Sequence, residues 1–211
     1  MSRENRVRVT GRLARPPVAD HETSGGWIWA TEIAVARSSG AVDMPHVMVP
    51  EAMMDAAGVE LDKLPRVTIE GEIRRHRLQE IRQDGGARWV PAVYVRKIRP
   101  AGDTPDENAV ELWGEIREAP EYRVTPFGRH ITGVKLMFRR AFGHWDSVVV
   151  LCWGEAAERT KALPVGTGMH VKGRMQSRGY TKLMEDGTYR AMVTYEVSAH
   201  DVEVTHHAHG G

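Results

Sequence analysis

The sequence is poor in cysteine and contains no long hydrophobic segment. Cys152 is the single cysteine among the 211 residues, which excludes an internal disulfide and a metal site built from several cysteines. No apolar run approaches the roughly 20 residues that span a bilayer, and the polar start MSRENR does not resemble a signal peptide. We therefore expect a cytoplasmic protein in a reducing compartment.

The sequence also lacks an excess of charge and any signature of catalysis. Lys and Arg number 29 and Asp and Glu 28, so the formal net charge is +1, and any basic surface must arise from the placement of side chains. Glycine-rich phosphate loops and the HExxH and GxSxG motifs do not occur in it. We expect a protein that is not an enzyme and needs no cofactor or metal.

The two halves of the chain resemble each other. The segment NRVRVTGRLARPP from Asn5 aligns with NAVELWGEIREAP from Asn108, and VTIEGEI aligns further along with MHVKGRM. Residues 99–109, between the halves, have the Pro, Gly and Asp content of a linker. We predict a diverged first domain over residues 1–101, a second over 107–205 and a disordered tail over 206–211.

Each half is predicted to be mostly β-structure. Apolar residues recur at about every second position in NRVRVTGRL and MHVKGRM, which is the period of a half-buried strand. One stretch rich in Ala, Met, Glu and Leu interrupts the strands of each half, at 50–65 and at 154–166, and predicts a short helix. About 100 residues of short strands with one helix favour a small Greek-key barrel.

The second half resembles the bacterial single-stranded DNA-binding protein family. NAVELWGEIREAP, VVVLCWGEAAE and GMHVKGRMQSRGY follow one another in the family's order over roughly residues 108–204. The resemblance implies two tandem OB folds, each a five-stranded barrel with a helix between its third and fourth strands. It further implies a non-catalytic protein that coats single-stranded DNA in replication, recombination and repair, near the bacterial nucleoid, as a homodimer with four barrels.

The end of the sequence departs from that family. The resemblance implies a flexible tail whose acidic Pro-Phe tip recruits replication and repair proteins, but this sequence ends in DVEVTHHAHGG. We expect no recruitment through such a tip. His206, His207 and His209, with His200, raise the alternative of a metal site, but a specific site needs ligands on a fixed scaffold, so we expect a disordered tail.

The segment GMHVKGRMQSRGY predicts a strand with a cationic and aromatic outer row. If Val171, Gly173 and Met175 face the core, alternation places the intervening side chains on the outer face together. The resemblance makes Tyr180 a stacking aromatic. We expect this face to lack any acidic partner, which favours a phosphate surface over a merely solvated one; the row consists of Lys172, Arg174, Gln176, Arg178 and Tyr180.

Other candidates for DNA binding flank this strand. The resemblance implies stacking on Trp153 and on Trp145, although Trp145 lies two residues further from the glycine of WG than the family pattern has it, and burial in the core is the alternative for both. Strand parity predicts a core position for Phe138 and leaves Trp113 undecided. A phosphate path could extend along KLMFRRAF through Lys135, Arg139, Arg140 and Phe142.

The first half is predicted to bind DNA more weakly than the second. Its equivalent row, Glu70, Glu72, Arg74 and His76, is mixed in sign and has Leu78 where Tyr180 stands. Trp27 and Trp29 share a face opposite Ile28, so we expect at least one of them to be exposed. From this half we include Trp29 and Arg74 among the candidate DNA-binding residues, and we expect the first barrel to serve mainly as a pairing surface.

Two other functions remain open at the level of the sequence. One is a primosomal protein of the replication-restart type, whose relatives also lack the acidic tail. The other is a protein-binding adaptor with little DNA affinity, because OB folds host several functions. The sequence does not discriminate between DNA and RNA as the single strand.

Overall fold

The computed structural model describes residues 5–58, 60–81, 87–140, 143–184 and 186–205. Phe142 and the tail over 206–211 therefore lie outside the described residues. The first half contains, in chain order, β1 (Asn5–Leu13), β2 (Val18–Thr23), β3 (Gly26–Ala36), β4 (Val42–Asp43), β5 (His46–Pro50), α1 (Glu51–Ala56), a 3₁₀ turn (Leu61–Lys63), β6 (Arg66–Ile81) and β7 (Ala87–Pro100).

The second half repeats this order. It contains β8 (Glu107–Ile116), β9 (Glu121–Val124), β10 (His130–Arg139), β11 (Trp145–Trp153), α2 (Glu155–Thr160), β12 (Gly168–Leu183) and β13 (Tyr189–Thr205). Both helices are shorter than the stretches that predicted them. After α1, Gly58 has a left-handed backbone conformation (φ +67°), which ends helices. After α2, Pro164 lies four residues beyond the last helical residue and does not allow the helix to extend.

Each half closes into a five-stranded barrel, as the sequence predicted. In the first half the strands run β3-β5-β7-β6-β1, and a second pairing of β1 with β3 closes the barrel. In the second half they run β10-β11-β13-β12-β8, and β8 pairs with β10. The helix of each half lies between the third and fourth barrel strands. The mostly β fold with tandem OB barrels is therefore confirmed.

The two barrels share one continuous sheet because β1 pairs antiparallel with β8. Val7 pairs with Val110, its equivalent in the repeat, so the junction has local two-fold symmetry. Asn5 and Asn108, which are equivalent in the repeat, also make equivalent hydrogen bonds to a neighbouring strand. The Asn5 side chain makes two hydrogen bonds of 2.8 Å to the backbone of Ile73, and Asn108 makes the same pair to Met175 at 2.7 and 2.9 Å.

Long hairpins from each barrel reach the other barrel. We call residues 176–196 of β12 and β13, with their connection, the second arm. The Met44 backbone N–H donates to Ser177 Oγ of this arm at 2.9 Å, and the Tyr195 hydroxyl donates to Glu32 at 2.7 Å. In the reverse direction, the Arg75 N–H of β6 donates to Asp146 at 3.2 Å. The arms therefore fix the relative position of the barrels.

In the part of the chain that the structure describes, no helix is long and apolar enough to cross a membrane.

Candidate nucleic-acid interface

The alternation predicted for β12 is present in the structure. Val171 and Met175 are fully buried in the barrel core, and Gly173 is buried between them. Arg178 and Tyr180 are exposed on the opposite side of the strand. The strand therefore separates a core row from an outer row, as a half-buried strand does.

Both tryptophans of β11 project to the same side as this outer row. Trp145 and Trp153 have the same parity at the two ends of β11, and Leu151 between them pairs with Ser198 of β13, which pairs with Arg174 of β12. Directly paired residues project to the same face of a sheet. We call this surface the outer face of the second barrel; its candidate residues are Lys135, Trp145, Trp153, Arg174, Gln176, Arg178 and Tyr180.

The aromatic rings of the outer face are accessible to solvent, and arginines lie at one end of this face. Trp145 is 54% exposed and Tyr180 38%, while Trp153 is half-buried. Burial raises the pKa of the Glu196 carboxyl, and the positive charges of Arg178 and Arg123 oppose that rise. Arg178 of β12 and Arg123 of β9 therefore both lie close enough to Glu196 to act on its charge, beside the aromatic surface.

Acidic residues from other strands contact three members of the predicted row, because Gln176 donates to Glu196 at 3.2 Å in addition to two ion pairs. Lys172 lies 3.9 Å from Asp201 of β13. Arg174 lies 3.2 Å from the fully buried Asp43 of the first barrel. The expectation that this row lacks acidic partners is therefore wrong, because it considered a single strand and not its neighbours.

Lys172 also lies away from the rings. It lines a groove along the junction between β1 and β8, which we call the seam groove. Around it, Arg6 pairs with Glu111 and Arg8 lies 2.9 Å from Glu107. Arg139 and Arg140 also line this groove, which is therefore a mixed-charge surface that borders the outer face.

The predicted extension of the phosphate path is mostly neutralised by ion pairs. Lys135 lies 2.6 Å from Glu118, and Arg140 lies 3.1 Å from Asp146. Arg139 is exposed and pairs in the sheet with Trp145, which leaves it the best placed of the three for a ligand. Phe142 lies outside the described residues.

The corresponding face of the first barrel is filled by its own side chains. Ile28, Met48 and Ala92 are buried there in a small apolar cluster against Tyr94. The rings of His46 and His76 stack at 5.4 Å between centroids, and both side chains are buried. This face leaves its rings little accessible surface for a ligand.

Two candidates from the first barrel are engaged within the protein. Trp29 packs against the main core and its indole nitrogen is buried, while Trp27, 39% exposed, is the exposed member of that pair. Arg74 lies 2.6 Å from Glu72 and over the ring of Tyr94 at 4.6 Å. Neither Trp29 nor Arg74 is placed to meet a nucleic acid without rearrangement.

Two positions left open or predicted as core are assigned by the structure. Phe138 is buried at 1% exposure, as predicted. Trp113 lies outside the barrel and stacks on His170 at 4.0 Å with the rings 8° from parallel.

Burial raises the pKa of the Cys152 thiol to about 11. Among the described residues no group of three or more His, Cys, Asp or Glu could hold a metal ion.

Sequence reasoning missed several exposed residues around the second arm and β9. Phe127, in the turn between β9 and β10, is 92% exposed, and its position between Pro126 and Gly128 was a turn signal that predicts exposure. Tyr189 is 75% exposed on the arm. The basic residues missed are Arg123, Lys182 and Arg190, all exposed.

Comparisons with known proteins match the second barrel and the complete fold. A model of the single-strand binding protein family matches residues 107–205. The wild-type single-stranded DNA binding protein from Thermus aquaticus has a TM-score of 0.73 at 21% identity, covering 98% of this chain and 95% of that chain. A deletion mutant of that protein has a TM-score of 0.70 at 23% identity, covering 96% of this chain and 94% of that one.

The search of curated proteins found no match. The family match and the structural matches agree on the second half of the chain, where the outer face carries its exposed rings. Residues 107–205 match the single-strand binding protein family, within a chain whose two barrels have the fold of the Thermus aquaticus protein.

Proposed function

We propose that the chain is a non-catalytic protein that binds single-stranded DNA and protects it in replication, recombination and repair, in the bacterial cytoplasm near the nucleoid. The observation that carries the proposal is the common orientation of Trp145, Trp153, Arg178 and Tyr180 on the outer face of the second barrel. Binding without sequence preference uses rings that stack on bases and cations that follow the phosphates. The family match of residues 107–205 supports the same function.

The second barrel is the principal DNA-binding unit in this proposal. Its outer face has exposed rings, whereas the equivalent face of the first barrel is occupied by a buried apolar cluster and by His46 and His76. The first barrel contributes the β1–β8 pairing and the contacts with the second arm. It thus acts mainly as a pairing surface that supports the second barrel.

The experiment that tests this function is a titration of tryptophan fluorescence with oligo-dT of about 16 nucleotides, the upper range of site sizes for one OB fold, and with a matched duplex. We expect strong quenching by oligo-dT alone. Affinity should fall with salt, because neutralising phosphates releases counterions. Oligo-rU in the same titration compares RNA with DNA.

Two tyrosines of the second arm provide a variant and its matched control. Tyr180 pairs with Met192 and Tyr189 with Leu183, so their side chains project to opposite faces of the arm. Y180A should weaken oligo-dT binding by about 5- to 150-fold, the equivalent of one lost stacking contact, and Y189A should leave it unchanged. Absence of oligo-dT binding by the wild-type protein would overturn the function and favour a protein-binding adaptor.

We also propose that two copies of the chain pair to bring four barrels together, and the seam groove supports this. Its charges alternate in sign about the two-fold junction, in ion pairs such as Arg6 with Glu111 and Arg8 with Glu107. A two-fold surface with both signs of charge can be complementary to a copy of itself. Sedimentation should give twice the mass of one chain, and a monomer at every concentration would contradict the proposal.

A further inference from the structure

The turn between β9 and β10 holds a phenyl ring in solvent. The Thr125 N–H donates to the Arg129 carbonyl at 2.8 Å, and the Gly128 N–H donates to the Thr125 carbonyl at 2.9 Å. The Arg129 N–H donates to the Thr125 hydroxyl at 3.0 Å. Gly128 has a φ of +73°, which favours glycine. Phe127 is therefore displayed, 92% exposed, on a well-defined turn.

Neither the turn nor the core accounts for this phenylalanine. A turn with Pro at its second position and no positive φ at its third accepts most residues there, so it does not require a phenylalanine, and the phenyl ring packs too little surface to contribute to the core. Burial of such a side chain would stabilise the fold, and this position forgoes that gain. A ring on a backbone turn that hydrogen bonds already fix requires little further backbone ordering when a ligand stacks on it.

The surroundings of Phe127 connect it to the outer face of the second barrel. On β9, Arg123 pairs with Ile131 of β10, which pairs with Trp153 of β11. These three side chains project to one face, and two strand spacings of about 4.8 Å separate Arg123 from Trp153. The turn that carries Phe127 directly follows β9, the strand of Arg123.

The charge near the turn favours a nucleic acid over a protein as the ligand. Arg129 is exposed and forms no ion pair with any residue that the structure describes. Arg123 is exposed and interacts electrostatically with Glu196, which also faces Arg178. Glu121 is at the far end of β9 from the turn. Two arginines beside a displayed ring can bind phosphates and a base together.

We propose that Phe127 is a further stacking platform for the single strand that crosses Trp153, with Arg123 and Arg129 binding its phosphates. This inference rests on the proposed function, because it extends the same binding surface onto the β9–β10 turn. It assigns the turn to nucleic-acid binding and not to a protein partner.

The test compares three variants by fluorescence anisotropy of labelled oligo-dT of about 16 nucleotides, within the site-size range of an OB fold. F127A should weaken binding by about 5- to 150-fold, the equivalent of one stacked base. F127Y keeps an aromatic ring and should bind like the wild type. V42A removes an exposed apolar side chain of the first barrel, 50% exposed, and should also bind like the wild type.

The outcomes separate this inference from the function on which it rests. Wild-type binding with unchanged affinity in F127A overturns the inference alone and leaves a protein partner as the use of this turn. Loss of affinity in F127A that F127Y does not restore also overturns it, since a stacking role requires only the ring. A wild-type protein that does not bind oligo-dT overturns the function itself. Thermal unfolding of F127A should match the wild type, because the ring is outside the core.

Discussion

Val7 and Val110 pair with each other across the β1–β8 junction, although each occupies the same position of its own half of the chain. A residue that meets its own counterpart lies at a two-fold axis, as in an interface between two identical subunits. The chain thus contains within itself the kind of contact that two one-domain proteins would make. Its halves have diverged at the outer faces while the junction has kept its symmetry.

The symmetry predicts equal costs for N5A and N108A. Each asparagine makes two hydrogen bonds to the backbone of the β-strand beside it, and each substitution leaves a backbone donor and acceptor without a partner, in a buried contact for Asn5 and a half-buried one for Asn108. We expect a loss of about 2 to 3 kcal/mol in the free energy of unfolding for each variant, measured by urea denaturation. A cost for only one of them would show that the two halves of the junction are not equivalent.

The duplicate halves and the outer row of β12 could be predicted from the sequence because both follow from local periodicity. The pairing of Arg174 with Asp43 could not, because the partner lies 131 residues away. Alternation along one strand indicates which side chains point outward, but it carries no information about what packs on that side. The row is therefore divided among three places: Lys172 lines the seam groove, Arg174 contacts Asp43 of the first barrel, and Arg178 and Tyr180 are exposed on the outer face.

Arg174 and Arg178 should differ in what their removal affects. Asp43 is fully buried, and Arg37 at 3.5 Å and Arg174 at 3.2 Å are its ion-pair partners, so R174A should destabilise the protein, by less than the about 3 to 5 kcal/mol of a fully broken buried pair. R178A should destabilise the protein less than R174A, because Arg178 is exposed and Glu196 keeps Gln176 and Arg123 as partners, and it should weaken oligo-dT binding. Thermal unfolding and anisotropy on both variants check this, and reduced DNA affinity in R174A at unchanged stability would contradict it.

Acid should destabilise the first barrel through His46. Burial, followed by the charges of His76 and Arg15, lowers the pKa of His46 from 6.5 to about 4, although Asp20 opposes this. The ring also lies 5.9 Å from Tyr195 of the second arm. Because the unfolded chain binds a proton near pH 6.5 and the folded one does not, stability is retained above that pH and lost as pH falls towards 4.

The size of this effect is on the order of 3 kcal/mol, from 1.36 kcal/mol per pKa unit. The measurement is the free energy of unfolding between pH 7 and pH 4 for the wild type and for H46L. The variant should lose part of the pH dependence, and His76, whose pKa is also lowered by burial, contributes to the part that remains. Parallel pH profiles would mean that His46 is protonated in the folded state or is not involved.

The first barrel illustrates why the role of a strand face could not be read from the sequence. Alternation places Trp27 and Trp29 opposite Ile28, and the exposed Trp27 agrees with that. However, Ile28 and Ala30 are buried on the outer side of β3, in a second apolar cluster, while Trp29 packs against the main core. When both faces of a strand are covered, apolar alternation no longer identifies the ligand side.

Two glycines of β12 should respond oppositely to alanine. A Cβ at Gly173 would lie 2.4 Å from the Ser198 carbonyl oxygen, whereas at Gly179 its nearest neighbour would be the Met192 carbonyl oxygen at 3.9 Å. Gly173 is next to an irregularity in the β12–β13 register, and its repeat equivalent Gly71 approaches Tyr94 as closely. The close approach lets the strand bend around the barrel.

We therefore expect G173A to lose about 3 kcal/mol or more, because the backbone of β13 must move to relieve the contact. G179A should be neutral or more stable by up to about 1 kcal/mol, since alanine restricts the unfolded chain and fits the exposed arm. Urea denaturation of both variants provides the comparison. If G173A were as stable as G179A, the bend in β12 would not depend on the missing side chain, and the curvature that carries Arg178 and Tyr180 to the outer face would need another cause.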